Sequence, residues 1–422
     1  MNTNNYLPRI CDSLLADRLR RMGAVLIVGP KWCGKTATAS QSAKSILYMQ
    51  DPDHGPSYLQ AADTKPSLLL AGDTPRLIDE WQMAPVLWDA VRFAVDQRQQ
   101  PGQFILTGSA VPVENSTMHT GTGRISRLTM RTMSLYESTE SNGSVSLADL
   151  FAQQPLQANP STLSIEGIAH AICRGGWPAA VTMPQTDALH LAHDYLEAII
   201  HQDISRLDGI ERNPARVELL IRSLARNVAS PASTATIIRD IEATETSIST
   251  PTVDSYLNAL RRLYVVEDQP AWMPSLRSKT AIRTNSKRHF TDPSIAAAAL
   301  RITPNALLDD FNTFGLLFES LCTRDMRIYA QANDGEIYHY RDRYGLETDI
   351  IVSLHDGRWA AVEVKLGNRQ IEEAATHLLR LADTINQEKM GKPTFLMVLT
   401  GGEYAYQRDD GVYVIPIGCL KP

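Results

Sequence analysis

The stretch "AVLIVGPKWCGKT" (residues 24–36) is an apolar run from Ala24 to Val28 broken off by a glycine, and it leads into a helix-compatible segment, "ATASQSAKS" (37–45). Gly29-Pro30-Lys31-Trp32-Cys33-Gly34-Lys35-Thr36 satisfies G-x-x-x-x-G-K-[ST] in the strand, loop and helix order that the motif requires. Glycines at 29 and 34 let backbone N–H groups approach phosphate oxygens at a helix N-terminus. Lys35 then suits the β- and γ-phosphates of ATP, and Thr36 suits Mg²⁺. The pattern predicts an α/β domain with a parallel sheet and a nucleotide site at the carboxyl edge of its strands.

Two further strands supply partners for that loop. "TPRLIDEWQ" (74–82) ends its strand in Asp79-Glu80, where Asp79 suits Mg²⁺ and Glu80 suits orientation of an attacking water. Pro75 and Arg76 make that strand irregular. "QFILTGS" (103–109) puts Thr107 and Ser109 at a strand's carboxyl edge, as a γ-phosphate sensor or as an ordinary turn. "HTGTGRISRLTMRTMSLYES" (119–138) follows, with Arg124 and Arg127 as candidates for an arginine finger or as surface arginines.

Composition bounds the rest. The chain has 422 residues, 43% of them hydrophobic, which suits two to four domains. Five cysteines (Cys11, Cys33, Cys173, Cys322, Cys419) are scattered without CxxC or a histidine cluster, so neither a zinc site nor a disulfide framework is expected, and a cytoplasmic location fits. The opening "MNTNNYLPRICDSLL" has no signal-peptide pattern, and no apolar run approaches bilayer-spanning length. No internal repeat is evident. Net charge is −6, divided as 0 over residues 1–150, −3 over 151–200, +3 over 201–290 and −6 over 291–422. "SLRSKTAIRTNSKRHF" (275–290) carries Arg277, Lys279, Arg283, Lys287 and Arg288 without an acid, which reads as a phosphate-facing strip or a solvated loop. Residues 138–164 and 226–235 have linker composition.

The middle of the chain reads as short helices. Val217, Leu220, Ile221 and Leu224 make one helical stripe, and a second helix begins with Thr250 as N-cap and Pro251 at N1, carrying Val253, Leu257 and Leu260. A strand over 264–266 follows. Three short helices and a strand pair form the pattern of a winged helix, with 251–263 in the DNA-reading position and Arg261 and Arg262 late on it.

The last third reads as antiparallel strands. "EIYHYRDRYGLETDIIVSLHDGRWAAVEVKLG" (336–367) gives three, joined by turns at Gly345 and Gly357. Strand periodicity puts Glu347 and Asp349 on one face of the second, and Glu363 and Lys365 on one face of the third. Glu319, in "LLFESLCTRDMRIYA", adds a carboxylate from the preceding helix. Asp349, Glu363 and Glu319 suit a Mg²⁺ ion with Lys365 beside it to steady a phosphate, or else form a structural ion cluster. The −6 charge of this segment argues against a phosphate-binding surface.

Taken together, "YLPRICDSLL", "GPKWCGKTATA", "QDPD", "TPRLIDEWQMAPVLWDAVR", "GQFILTGSA" and "GTGRISRLTMRTMSLYES" resemble the P-loop domain of a large group of prokaryotic AAA-type ATPases. "CRGGWPAAV" (173–181), "YLEAIIHQDISRL" (195–207), "FGLLFESLCTRDMRIYA", "LETDIIVSL" and "AVEVKLG" are similar to that group's second half. The resemblance implies a P-loop AAA-type ATPase domain (1–150), a helical lid or linker (151–212), a winged-helix domain (213–290) and an α/β restriction-endonuclease-like domain (291–422). Asp349, Glu363 and Lys365 match the D…E-x-K signature of such nucleases. Two functions follow as expectations: Mg-dependent ATP hydrolysis coupled to DNA binding or processing, or an ATP-driven switch whose C-terminal half binds a protein partner. A homo-oligomer is compatible with either.

Overall fold

The structure is a computed structural model and describes residues 6–108, 121–244, 247–273, 285–342, 344–385 and 390–422. Ser109, Arg277, Lys279 and Arg283 lie outside the described residues. The chain divides into two compact units: residues 1–132 with 207–209 and 262–264, and the remainder.

The first unit is built on a parallel sheet of five strands: β1 (Ala24–Val28), β2 (Ser45–Tyr48), β3 (Arg76–Asp79), β4 (Phe104–Thr107) and β5 (Ile125–Thr129), in the order β2-β3-β4-β1-β5. All five residues of β1 are buried because helices cover both faces of a parallel sheet. Alternation divides them between two cores. Ala24, Leu26 and Val28 pack with Leu87, Val91 and Val95 of the helix Val86–Arg98, while Val25 and Ile27 pack with Leu15 and Leu19 of the helix Ile10–Arg21. The irregular start of β3 has a local explanation: Pro75 precedes the strand, and the Arg76 guanidinium donates to Leu69 O (2.9 Å) and Ser45 Oγ (3.0 Å).

The second unit contains a mixed sheet. Its strands are β7 (Gly335–Arg341), β8 (Glu347–Leu354), β9 (Trp359–Lys365), β10 (Leu396–Thr400), β11 (Tyr406–Gln407) and β12 (Tyr413–Pro416), in the order β11-β12-β10-β9-β8-β7. The first three pair antiparallel, as their alternation and glycine turns predict, and β9-β10-β12 continue in parallel. A separate ladder joins β6 (Val145–Ser146) to β13 (Leu420–Lys421). With that ladder, and with Leu135 N donating to Asp325 Oδ2 at 2.9 Å, residues 133–150 belong to the second unit, whereas their position in sequence suggested the first.

Helices Pro214–Arg226, Thr234–Glu242 and Thr250–Arg262 occupy the middle segment. Ser249, rather than Thr250, caps the third, its hydroxyl accepting from Thr252 N at 3.3 Å. In place of a strand at 264–266, isolated antiparallel bridges join Val266 to Phe290 and Gln269 to Lys287. Among the described residues, no helix is long and apolar enough to cross a membrane.

Candidate functional site

The loop after β1 is shaped by its glycines. Gly29 has φ +149°, and a Cβ there would lie 1.9 Å from Met130 O, so any side chain would force the loop off the strand beside it. Gly34, at φ +99°, ends the loop and starts the helix Lys35–Ser42. The Lys35 ammonium, 7% exposed, donates to the carbonyls of Gly29 (3.0 Å) and Pro30 (2.7 Å) and so holds the loop's entry against its exit. Trp32, with φ +64°, is half exposed, and Cys33 is fully buried.

Three elements meet at one carboxylate. Asp79, 1% exposed at the carboxyl end of β3, accepts through Oδ1 from Thr36 Oγ1 at 2.8 Å and from Thr107 Oγ1 at 2.6 Å. The sheet order produces this convergence, because β4 lies between β1 and β3 and its last residue pairs with Asp79. Thr36 and Asp79 thus stand in contact, and a hydroxyl beside a carboxylate is a donor set suited to Mg²⁺. Glu80 is the next residue, at φ +53°, and its Oε2 accepts from Gln82 Nε2.

Two residues without a motif signal support the loop. Arg9, 7% exposed, donates from one guanidinium nitrogen to Cys33 O (2.8 Å) and from the other to Arg131 O (2.9 Å), tying the loop to the end of β5. Tyr6 shares a hydrogen bond of 2.8 Å with Thr38 on the loop's helix. Both lie in the "YLPRICDSLL" segment, which matches no phosphate-binding pattern.

The two candidate finger arginines lie elsewhere in this unit. Arg124 pairs with Asp96 at 2.8 Å, and its carbonyl accepts from Ala24 N, at the start of β1 rather than at the loop. Arg127 sits beside Leu26 on β5 and donates to the Tyr264 hydroxyl.

In the second unit Glu319, Asp349, Glu363 and Lys365 do come together, with a fifth member. Lys287 donates to Glu319 Oε1 at 2.7 Å and to Asp349 Oδ1 at 2.9 Å, while Lys365 donates to Glu363 Oε2 at 2.9 Å and lies 3.8 Å from Asp349 Oδ2. Asp349 Oδ2 also accepts from Val364 N at 3.0 Å. Burial pushes Glu319 up to about 7 and Glu363 up to about 8, each helped by the Asp349 charge and opposed by its lysine. Asp349 is held down at about 2: burial alone would raise it, but Lys287 and Lys365 outweigh burial. His289 and His339, both buried near Lys287, are pushed below the usual histidine range by burial and by that lysine's charge. Among the described residues, no group of three or more His, Cys, Asp and Glu side chains is disposed to hold a metal ion. Glu347 is set apart, paired with Arg341 at 3.1 Å.

The expected basic surface is also changed. Lys287 is 5% exposed and turned inward, and Arg288 pairs with Asp268 at 3.0 Å, so neither side chain forms a phosphate-facing strip. Arg261 pairs with the same Asp268 at 2.6 Å, and Arg262 with Asp208 at 3.4 Å.

Comparison with known proteins gives three family matches. Residues 21–139 match an AAA domain, residues 165–306 a domain of unknown function (DUF8612), and residues 314–420 another domain of unknown function (DUF4143). Uncharacterized proteins of Mycobacterium bovis and Mycobacterium tuberculosis are each 23% identical over 357 residues, covering 83% of this chain and 72% of their own. Among solved structures, the Walker-type ATPase PABY2304 of Pyrococcus abyssi aligns at TM-score 0.42 and 14% identity over 70% of this chain and 96% of its own. Drosophila ORC bound to DNA aligns at TM-score 0.18 and 13% identity, over 69% and 85% respectively. Structural similarity that low carries no weight. The chain therefore has an N-terminal P-loop domain of AAA type, as the AAA-domain match and the loop's own geometry both indicate.

Proposed function

We propose that this protein binds Mg-ATP and hydrolyses it at the loop Gly29 to Thr36 together with Asp79, Glu80 and Thr107. The observation that carries this is the meeting of Thr36 and Thr107 on Asp79 Oδ1, at 2.8 and 2.6 Å, directly beside a glycine-shaped loop. Backbone N–H groups of Gly29, Lys31, Trp32, Cys33 and Gly34 would cradle phosphate oxygens, while Pro30, which has no N–H, only shapes the loop. Lys35 already binds two loop carbonyls, and an incoming phosphate would exchange with them for its ammonium. Thr36 and Asp79 would hold Mg²⁺, whose chemistry is to neutralise charge on the phosphates. Glu80, held by Gln82, would orient the attacking water. Thr107 would report phosphate to Asp79 through the hydrogen bond that they share.

For the C-terminal half, a switch that engages a protein partner is favoured over DNA processing. Among the described cations of 261–288, Arg261, Arg262, Lys287 and Arg288 are each engaged by a carboxylate, and residues 291–422 carry −6. Phosphate binding needs uncommitted cations on a surface. A homo-oligomer would allow Arg124 or Arg127 of one copy to act on its neighbour's ATP.

The test is nucleotide binding and turnover in two variants. Lys35→Ala is expected to abolish ATP binding, and Glu80→Gln to retain it while hydrolysing slowly. Unchanged ATP affinity in Lys35→Ala would refute the assignment.

A further inference from the structure

We infer that the ammonium of Lys287 takes the place of a divalent cation among Glu319, Asp349 and Glu363, and that the folded chain thereby excludes Mg²⁺ and Mn²⁺ from that cluster. A nuclease-like module would need a metal there, and the residues present do not fit one. This inference is independent of ATP hydrolysis.

Geometry carries the point. Lys287 Nζ bridges one oxygen of Glu319 and one of Asp349, on two separate elements, which is the task of a metal ion between carboxylates. The remaining Asp349 oxygen is occupied by Val364 N–H and faces Lys365. Two ammonium groups already oppose three carboxylates in a buried space, so a divalent ion added beside them would meet two like charges and an Asp349 whose two oxygens already have donors.

Lys287 is also fixed by its backbone. Its N–H donates to Gln269 O at 3.0 Å and its carbonyl accepts from Gln269 N at 2.9 Å. Arg288 N donates to Ser230 O at 2.9 Å, Arg288 O accepts from Ala229 N at 2.8 Å, and the Arg288 side chain is held by Asp268. The side chain therefore arrives on a pinned segment, and withdrawing its ammonium would leave Glu319 Oε1 and Asp349 Oδ1 without the donor that they share.

Mn²⁺ binding to the full chain, without nucleotide at pH 8, by electron paramagnetic resonance and calorimetry, tests this. Any Mn²⁺ held by Thr36 and Asp79 is common to every variant and subtracts out. Wild type and Asp349→Asn are expected to give the same titration. Lys287→Met is expected to gain one Mn²⁺ per chain at least about tenfold tighter than wild type, and Lys287→Met with Asp349→Asn to lose it. Lys287→Gln substitutes if the methionine variant does not fold. A wild-type Mn²⁺ site that disappears in Asp349→Asn overturns the inference, and so does a folded Lys287 variant that binds Mn²⁺ no better than wild type.

Discussion

Thr107 Oγ1 lies 2.6 Å from Asp79 Oδ1, across the carboxyl ends of two adjacent parallel strands. Both groups are 1% exposed. A hydrogen bond to a buried carboxylate is worth about 1.5–3 kcal/mol, and here it fixes the carboxylate that Thr36 also touches.

Removing that hydroxyl should therefore misplace Asp79 without touching the phosphate cradle. Thr107→Val is expected to lower kcat by roughly 10- to 100-fold with ATP affinity near wild type. Thr107→Ser should restore most of it. Steady-state ATPase and equilibrium ATP binding separate the two effects, and an unchanged kcat in Thr107→Val would make Thr107 a turn residue only.

Arg9 should matter although it touches no phosphate. Its two guanidinium nitrogens join Cys33 O to Arg131 O, so Arg9→Ala leaves two carbonyls without their donor. A loss of about 2 kcal/mol in stability, and weaker ATP binding from a slack loop, are expected. Arg9→Lys should recover little, because one ammonium does not reproduce a planar fork. Thermal melting with and without ATP measures both.

Arg124 stands at the opposite end of β1 from the loop, since Ala24 N donates to its carbonyl and about 13 Å of strand intervenes. Any role in phosphoryl transfer must then be exerted on another copy. ATPase rate per protomer should rise with protein concentration and collapse in Arg124→Ala or Arg127→Ala while ATP affinity survives. A rate independent of concentration and unmoved in both variants would leave them as structural residues bound to Asp96 and Tyr264.

Stability should fall as pH rises from 6 to 9. Glu363 at about 8 and Glu319 at about 7 sit above the ordinary glutamate value, so between pH 5 and 8 the folded chain binds more protons than the unfolded one. Their contribution is complete below about pH 4.5 and is lost as pH passes through 7 and 8. Asp349, held at about 2, acts oppositely under strong acid, and His289 and His339, depressed by burial, act oppositely up to the ordinary histidine range of about 6.5, so the fall is clearest above about pH 7. Glu363→Gln, which stays neutral throughout, should flatten the slope and raise the melting temperature at pH 9 by at least about 2 °C. A wild-type melting temperature that does not fall over this range would contradict the burial of these acids.

The sequence alone determined whatever depends on local pattern. An apolar run, two glycines and a Lys-Thr pair specify strand, loop and helix over 24–42, because each choice is made within a few residues of its neighbours. Period-two alternation likewise assigned Glu363 and Lys365 to one side of β9 and Asp349 to β8. Tertiary structure decided who meets whom. Thr107 reaches Asp79 only because β4 is inserted between β1 and β3, and strand order leaves no trace in the periodicity of any one strand. Lys287 reads as part of a basic strip until the pairing of 287 with 269 carries it to Asp349, a residue 62 positions away. Arg9 and Arg131 meet across 122 positions. Contacts of that range follow from chain closure and packing, so the same lysine that looks solvated in sequence ends as the buried counter-ion of two acids.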